Sequence, residues 1–548
     1  MIEVRRKTVC PFCLLGCELG IIVDEIGIKG VDYLKESKVN QGRLCARGNA
    51  SVVFLDCPDR LAYPIRDGKE TSWEEALKEI VKVLKSKRRE EVALTFDCNL
   101  TEEEYSLIYE LAENLEIENL ASSYLEPEFY FNDVFQEVQR ANLDDIKNAK
   151  VFLLVGDVFN QIPVISKNIL DARYGDKNSR IFVVDSINSR TAGFADTFIQ
   201  VKPGGEPLAL LAISKIVSNK PEKFSIDEIT KAVGADISTV EEVAKSLNEI
   251  HKGVIITVMA WGKVSDPILF SGASQHLVSV LNHDKKFLPL GESISKMGRM
   301  EFGQILNKIK AGEIKTLINF GELFPFYYPQ IHSDLRELQL LVATATLKPN
   351  IQELPGVFLP VALNLEKSGE ISTAFGTRRV EQVVEPMSGT KTVKEIIETI
   401  SKELAIKLTG KRAKFTTKKL TLTNLLERVK QLLELQPTEK EFQIVHGMLC
   451  IGEKPAYDFR LFFEKEEIVK INQVDAKKLG VREGDFVTLK SSNSQEKFKV
   501  SITGGVPSQV SVVSVESPKV RALFGMTIDK ENRTVTFPPV EVKLCKEG

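Results

Sequence analysis

Cys10-Pro-Phe-Cys13-Leu-Leu-Gly16-Cys17 is the stretch on which the fold prediction rests, and a fourth cysteine, Cys45, follows after 27 further residues. Three thiolates on one tight loop, completed by a distant fourth, can enclose a [4Fe–4S] cubane with one cysteine on each iron. A four-cysteine zinc site is the alternative, but zinc sites usually pair two CxxC-like knuckles, whereas here the fourth cysteine stands alone. The spacing therefore favours an iron–sulfur cluster held by these four cysteines.

Arg47 lies two residues beyond Cys45 and is expected beside the cluster. It is either a surface charge or a residue that stabilises the reduced cluster and bridges towards a second cofactor; the second role is favoured. The other four cysteines show no ligand spacing and are expected to be ordinary core or surface thiols. They are Cys57, Cys98, Cys450 and Cys545.

Composition sets broad limits on the class of protein. A chain of 548 residues exceeds the size at which one core stops growing, so two to four domains are expected. Seventy-three basic against 76 acidic residues give a net charge of −3, which provides no strong field for nucleic acid or an anionic membrane. No apolar run is long enough to span a bilayer, and no signal-peptide pattern opens the chain. A cytoplasmic protein without a nucleic-acid partner or a membrane span is expected.

Apolar strand-like runs alternate with helical stretches from about residue 59 to residue 405. This alternation indicates mostly parallel sheets with helices on both faces. A basic stretch and a predicted amphipathic helix, Leu420–Leu435, follow, and Phe442–Gly548 has the β-rich pattern of a separate domain. The runs are Val92–Phe96, Val151–Val155, Ile181–Val184, Gly253–Val258, Thr316–Phe320 and Leu338–Val342.

The cluster loop resembles the N-terminal domain of the prokaryotic molybdopterin oxidoreductases, especially formate dehydrogenase large subunits and the G-type large subunit of respiratory NADH dehydrogenases. Further stretches resemble the family in its own order along the chain. They are Arg60–Arg66, Val151–Pro163, Ile181–Ser186, Val201–Gly205, Ile318–Glu322, Leu354–Pro360 and Ile471–Asp485.

The resemblance implies the α/β architecture of that family: a small cluster domain, two Rossmann-like domains and a C-terminal β-barrel of six strands. The expected boundaries are 1–58 for the [4Fe–4S] domain, 59–125 with 290–405 for a discontinuous α/β domain, 126–289 for a Rossmann-like domain, 406–440 for a linker helix and 441–548 for the barrel, which is of the molybdopterin-dinucleotide-binding type.

Several residues at strand ends are candidates for nucleotide binding. Gly156 lets a phosphate or ribose approach the backbone, Asp185 can accept hydrogen bonds from a guanine edge or a ribose hydroxyl, and Thr191 can contact phosphate. Ordinary turn and cap chemistry explains the same residues equally simply. The family resemblance favours nucleotide binding and adds Asp157, Asn160 and Gly204 to the cofactor-binding candidates, with Arg47 beside the cluster.

The sequence departs from the family where active members place a metal ligand, in the stretch Ser122–Pro127. Cysteine, selenocysteine, serine or aspartate is the family's ligand, and formate dehydrogenases follow it with a histidine. Here Glu126 and Pro127 occupy those positions. Glu126 is either a hard oxygen ligand to molybdenum or tungsten or part of a surface loop that has lost its metal function, and the second interpretation is favoured.

Two further stretches depart from the family. Ala260-Trp261-Gly262 runs into Lys263–Pro267, where the family's histidine-bearing turn is missing, and Glu292–Gly298 lacks the usual asparagine and small residues. A retained cluster site and scaffold with an altered substrate pocket resembles the NADH dehydrogenase large subunit, in which a molybdopterin-type domain serves as a scaffold without metal.

The resemblance therefore implies an iron–sulfur electron-transfer subunit whose partners are other redox subunits carrying flavin or iron–sulfur clusters. The first alternative is an active formate-dehydrogenase-like enzyme, with molybdenum or tungsten bound by molybdopterin guanine dinucleotide, Glu126 as the metal ligand and Arg47 as the link to the pterin. The second is a structural subunit with a four-cysteine zinc site. Apart from Glu126, no catalytic residue is assigned.

Overall fold

The computed structural model divides the chain into two compact units. The first comprises Met1–Leu125, Glu292–Thr416 and Ile528–Val535, and the second Glu126–Gly291, Thr417–Thr527 and Thr536–Gly548. Most of the predicted helix Leu420–Leu435, apart from residues 427–429, which are helical, and most of Glu292–Gly298 lie outside the described residues. Those residues are 3–85, 88–127, 130, 138–218, 225–281, 284–291, 296, 298–322, 324–348, 354–411, 413, 427–429, 447–453, 466–530 and 533–546.

The first unit begins with a three-stranded antiparallel sheet of Val4–Val9, Glu18–Asp24 and Gly27–Asp32, in chain order. Val9 pairs with Glu18, so the loop between the first two strands starts and ends at neighbouring points. A short helix, Ala46–Asn49, and a 3-10 helix, Ser51–Asp56, follow this sheet.

A seven-stranded sheet forms the centre of the first unit. Its parallel strands are buried and apolar, as Val92–Phe96 illustrates, because helices cover them. The strand order is Lys69–Glu70, Ile65–Arg66, Val357–Pro360, Leu340–Ala345, Thr316–Phe320, Val92–Phe96 and Leu120–Ser122. The helices are Trp73–Lys85, Glu102–Asn114, Phe302–Lys310, His332–Leu335 and Val393–Glu403, and a hairpin joins Gly369–Thr373 to Gly376–Val380.

The second unit contains a five-stranded parallel sheet. Its order reverses between Val151–Val155 and Gly253–Val258, the topology of a dinucleotide-binding fold. The order is Thr197–Gln200, Arg180–Asp185, Val151–Val155, Gly253–Val258 and Lys285–Leu290. The helices are Leu143–Asn148, Val158–Gln161, Pro163–Gly175, Glu206–Ser218, Ile226–Val233, Ile237–Glu249 and Pro267–Val280.

A closed barrel of six strands completes the second unit. Together with the two α/β sheets and the small cysteine-bearing sheet, it confirms the predicted fold class. The strands, in order around the barrel, are Gly447–Glu453, Val510–Ser514, Ile468–Ile471, Gln495–Ile502, Phe486–Lys490 and Val540–Lys546.

The short elements complete the description of the fold. No helix within the described ranges has the length and apolarity needed to cross a membrane. The helices Gln473–Leu479 and Pro518–Arg521 accompany the barrel, a small sheet pairs Thr527–Ile528 with Val535–Thr536, and 3-10 turns occur at Arg89–Glu91, Ala192–Phe194, Pro329–Ile331 and Asn364–Glu366.

Candidate functional site

The cysteine loop is folded back on itself at the end of the N-terminal sheet. The amide of Cys10 donates to the carbonyl oxygen of Cys17 at 2.8 Å, which closes the loop and leaves Cys13 at its tip. Gly16 has a φ of +65°, and a side chain there would bring its Cβ within 2.7 Å of the Thr373 methyl group. Only glycine allows this tight turn against its neighbour without strain.

The four predicted ligand cysteines lie within electrostatic reach of one another. Burial raises the pKa of Cys10, and the thiols of Cys13 and Cys45 raise it further. Burial also raises the pKa of Cys17, and the thiols of the other three cysteines add to that increase. Cys10 and Cys17 are buried, whereas Cys13 and Cys45 are partly exposed. In the part of the chain that the structure describes, no three His, Cys, Asp or Glu side chains form a group that could hold a single metal ion.

Arg47 lies beside this group of thiols, as the sequence predicts. It is buried in the short helix that starts after Cys45, and its positive charge lowers the pKa of Cys10 against the effects of burial and the other thiols. A guanidinium in this position favours added negative charge on the sulfur ligands.

The second unit contains a cavity of about 290 Å³, close to the size of a small-molecule pocket. It opens at the carboxyl ends of Val151–Val155 and Gly253–Val258, where the strand order reverses and dinucleotide-binding folds place their ligands. Gly156, with a φ of +84°, forms part of the wall, and a Cβ there would lie 2.7 Å from the carbonyl oxygen of Val258.

Asp157 presents an oriented carboxylate to this cavity. The Thr191 hydroxyl donates to one of its oxygens at 2.6 Å, and the Asn160 amide donates to the other at 2.6 Å. The Thr191 oxygen also accepts from the amide of Phe159 at 2.9 Å. Thr191 thus orients the Asp157 carboxylate through this hydrogen bond. Thr191 itself is not among the residues that line the cavity, where a phosphate contact would be expected.

Lys263, Asp185 and Glu206 form a buried charged group at the cavity. The Lys263 ammonium pairs with Asp185, and both Lys263 and Glu206 line the wall. Burial lowers the pKa of Lys263, but the carboxylates of Asp185 and Glu206 outweigh it, and the net shift is upward. The ammonium therefore stays charged and holds one oxygen of Asp185, while the other oxygen of this carboxylate is buried without a hydrogen-bond partner among the described residues.

Glu206 links this group to a pH dependence of stability. Burial, reinforced by Asp185 and opposed by Lys263, raises its pKa from 4.5 to about 7. A carboxyl that binds its proton more tightly when folded adds stability below its unfolded pKa, and this is lost as pH rises through the folded pKa. We expect the loss between about pH 4.5 and 7 to reach about 3 kcal/mol.

Glu206→Gln should remove that contribution, so that its unfolding free energy declines less than the wild type's over this interval. Chemical denaturation at a series of pH values measures the difference. Glu249→Gln, at an exposed helix end, is the control and should follow the wild type. Parallel pH curves for Glu206→Gln and the wild type would contradict the assignment.

Glu126 does not lie in a surface loop, and that part of the sequence prediction is wrong. Ser122, Ser123, Tyr124 and Leu125 are buried, and the Glu126 side chain is about 1% exposed. The loop is internal because its polar groups are satisfied within the chain. The Ser123 hydroxyl donates to the Asn319 side-chain oxygen at 2.5 Å, and the Leu125 amide donates to the Tyr328 hydroxyl at 3.3 Å. The Arg521 guanidinium donates to the Glu126 carboxylate at 2.5 Å.

Arg521 is fixed from several sides around this ion pair. Its Nε donates to the Val515 carbonyl oxygen at 2.6 Å, and its guanidinium carbon lies 4.9 Å from the centre of the Trp261 ring. Trp261 in turn stacks on Phe537 at 4.3 Å and meets Phe524 edge-on at 5.3 Å. The carboxylate at the expected metal-ligand position is thus committed to a buried, immobilised cation.

The structure brings the predicted nucleotide residues together only in part. Gly156, Asp157 and Asn160 line the cavity; Asp185, Thr191 and Gly204 are not among its lining residues. Gly204, at φ +81°, instead packs where a Cβ would meet the Ser265 hydroxyl at 3.0 Å. Sequence reasoning missed Lys263, although a buried acid such as Asp185 requires a cation nearby.

Comparison with known proteins assigns the chain to a family. The Molybdopterin oxidoreductase family model matches residues 60–403, the Molybdopterin oxidoreductase Fe4S4 domain matches 3–56, and the Molydopterin dinucleotide binding domain matches 458–534. The chain belongs to the molybdopterin oxidoreductase family, which confirms the predicted resemblance.

Among curated relatives, the alpha subunit of the F420-dependent formate dehydrogenase of Methanocaldococcus jannaschii is 26% identical over 46% of this chain and 42% of its own length. The probable oxidoreductase YjgC of Bacillus subtilis is 23% identical over 73% of this chain and 49% of its own length. The matches thus span less than half the length of these relatives. Acetylene hydratase from Pelobacter acetylenicus has the same fold, with a TM-score of 0.76 over 99% of this chain and 100% of that chain at 12% identity.

The matched domains support a [4Fe–4S] cluster and molybdopterin guanine dinucleotide as cofactors. The side chains fit the first, since the three thiols of the cysteine loop and that of Cys45 lie close enough to shift one another's pKa, beside Arg47. They fit the nucleotide portion of the second, since Gly156, Asp157 and Asn160 line a cavity at the strand-order reversal. The pairing of Glu126 with Arg521 does not fit a metal ligand.

Proposed function

We propose that this chain is the iron–sulfur electron-transfer subunit of a multi-subunit oxidoreductase and that its molybdenum site is degenerate. The observation that carries the proposal is the buried ion pair between Glu126 and Arg521, whose side chains are about 1% and 2% exposed. A carboxylate that binds a metal would have to leave this guanidinium uncompensated in the interior, at a cost of several kcal/mol.

The cluster region supports electron transfer in three ways. Cys10 and Cys17 are buried and exclude water from one side, while Cys13 and Cys45 are partly exposed. Arg47 offsets the negative charge that arrives with an electron. A [4Fe–4S] cluster bound by these four thiolates would supply one-electron chemistry, and the partly exposed cysteines would face its donor or acceptor.

Partner subunits follow from this role, because a single cluster must both receive and pass on its electron. The proposed partners are redox subunits that carry flavin or further iron–sulfur clusters. The naming of the archaeal relatives as alpha subunits of formate dehydrogenases supports such an assembly. A cytoplasmic location stays a prediction.

Formate-dehydrogenase-like catalysis is the second candidate. The cavity at Gly156, Asp157 and Asn160 favours it, as does the similarity to formate dehydrogenase subunits. In that case Glu126 would exchange Arg521 for molybdenum or tungsten.

Elemental analysis of anaerobically purified chain separates the candidates, together with pterin fluorescence after oxidation. We expect about four irons per chain and no stoichiometric molybdenum or tungsten, because each of the four thiolates binds one iron of a cubane. A chain with about one molybdenum or tungsten and pterin would overturn the proposal in favour of formate oxidation. About one zinc in place of iron would instead indicate the four-cysteine structural site.

A further inference from the structure

The part of the cluster domain nearest the exposed cysteines has an unusual surface. Five large apolar side chains with exposures above 40% lie within the first 63 residues, and two of them are Tyr33 (52%) and Val53 (43%), the latter on the 3-10 helix that follows Cys45 in the chain. The Tyr33 hydroxyl donates to the Asn49 side chain at 2.7 Å, and the Asn49 amide donates to the Cys45 carbonyl oxygen at 3.0 Å. A short chain of contacts therefore leads from this apolar surface to a predicted cluster ligand.

The same surface continues towards Cys13. The ring of Phe12, the residue before Cys13, lies 5.0 Å from the ring of Phe54, the residue after Val53. Cys13 is thus next in sequence to a ring that contacts the 3-10 helix carrying Val53, and Cys45 is linked to Tyr33 through Asn49. Both of these cysteines are partly exposed, whereas Cys10 and Cys17 are buried.

Basic side chains surround this area. Residues 33–56 contain four basic and two acidic residues, and all the basic ones except the buried Arg47 are at least partly exposed, although the whole chain carries a net charge of −3. Lys35 and Lys38 are exposed and have no carboxylate partner among the described residues, and the Arg43 guanidinium donates to the neutral Gln41 side chain at 3.2 Å. A Cβ at Gly42 would lie 3.2 Å from the Tyr33 carbonyl oxygen and 3.3 Å from Lys35, so the chain next to Arg43 passes close to both residues.

The acidic residues of this segment offset that charge only in part. Glu36 pairs with Lys7 at 2.8 Å, so exposed Asp56, at the end of the 3-10 helix that carries Val53, is the carboxylate of the segment left against three basic side chains. We define the electron-exchange surface as Tyr33, Lys35, Lys38, Arg43 and Val53.

We propose that the electron-exchange surface docks a small acidic protein that carries a one-electron cofactor. The basic residues would attract the carrier and set the rate of encounter, and Tyr33 and Val53 would provide the apolar contact. In each productive encounter, one electron leaves the reduced carrier and reduces the cluster by one electron, or the reverse, and no bond forms or breaks. This inference rests on the proposed electron-transfer function.

The experiment uses stopped flow at several salt concentrations to measure two second-order rates: reduction of the cluster by a reduced acidic bacterial ferredoxin, and oxidation of the reduced cluster by oxidised basic cytochrome c. For the wild type, we expect the ferredoxin rate to fall as salt rises and the cytochrome c rate to increase. Lys35→Glu/Lys38→Glu should slow the ferredoxin reaction at least tenfold at low salt and speed the cytochrome c reaction. The matched control Lys477→Glu/Lys478→Glu, on the exposed side of another helix, should change the ferredoxin rate less than twofold.

A binding readout accompanies the kinetics. Calorimetric titration with oxidised ferredoxin should show weaker binding for the Lys35/Lys38 variant, while its iron content and visible spectrum match the wild type. Equal rates for the two double variants would overturn the docking proposal, as would a wild type indifferent to the acidic carrier. A wild-type chain without iron would instead overturn the proposed function, so the two failures are distinguishable.

Discussion

Replacement of Cys13 by serine is expected to lower the iron content from about four atoms per chain to less than one. A cubane needs one thiolate for each iron, and a serine hydroxyl is a much weaker ligand at neutral pH. Cys13 is at the tip of the loop and partly exposed, so the serine itself creates no cavity in the core. Iron analysis and the visible absorption of the cluster measure the effect.

Cys545→Ser is the matched control, because this cysteine is also partly exposed but lies on a barrel strand in the other unit. It should retain full iron and the wild-type spectrum. Cys13→Ser should also destabilise the small N-terminal domain, because metal binding contributes to folding where the ligands hold the chain together. A soluble, folded Cys13→Ser protein with unchanged iron would rule out Cys13 as a ligand.

The features that could be predicted from the sequence are those determined by a few consecutive residues. The cysteine spacing and the buried runs such as Val92–Phe96 and Val151–Val155 carry their structural meaning in a few consecutive residues. Gly156 could likewise be placed at a strand end because a strand pattern stops immediately before it. These features predicted the family, the sheets and one wall of the cavity.

Long-range pairings could not be predicted from the sequence. Arg521 is 395 residues from Glu126, and no local pattern identifies them as partners. Lys263 and Asp185 are 78 residues apart. In the sequence, Lys263 stands out only as the start of the stretch in which the family's histidine-bearing turn is missing. A loop rich in serine was expected at the surface, yet it is buried because distant residues satisfy its polar groups.

Arg521→Met is expected to destabilise the second unit by about 3–5 kcal/mol, because it leaves the Glu126 carboxylate buried without its cation. Glu126→Gln should cost less, since its amide oxygen can still accept from Arg521. The double change Glu126→Leu/Arg521→Met should recover much of the loss, because an apolar pair of similar volume needs no compensation in the interior. Denaturant unfolding followed by tryptophan fluorescence suits this test, since Trp261 is one of two tryptophans and contacts Arg521.

Arg60→Met serves as the control in the first unit, where Arg60 and Glu366 form a similarly buried, two-fold hydrogen-bonded pair with both distances at 2.7 Å. It should also reduce stability but leave the Trp261 environment unchanged. A fully additive cycle between Glu126 and Arg521, with no coupling energy, would show that the pair does not stabilise the unit.

The metal content of the same variants distinguishes a Glu126 that binds molybdenum or tungsten from a Glu126 whose ion pair with Arg521 takes the place of the metal centre. If Glu126 were the ligand of molybdenum or tungsten, Glu126→Gln would lose that metal while Arg521→Met would free the carboxylate and retain it. If the pair replaces the metal centre, neither change alters the metal content, and both variants keep the four irons held by the cysteines. Stability and metal binding are thus measured on the same proteins, and only the second outcome is compatible with an electron-transfer subunit whose former metal position is closed by Arg521.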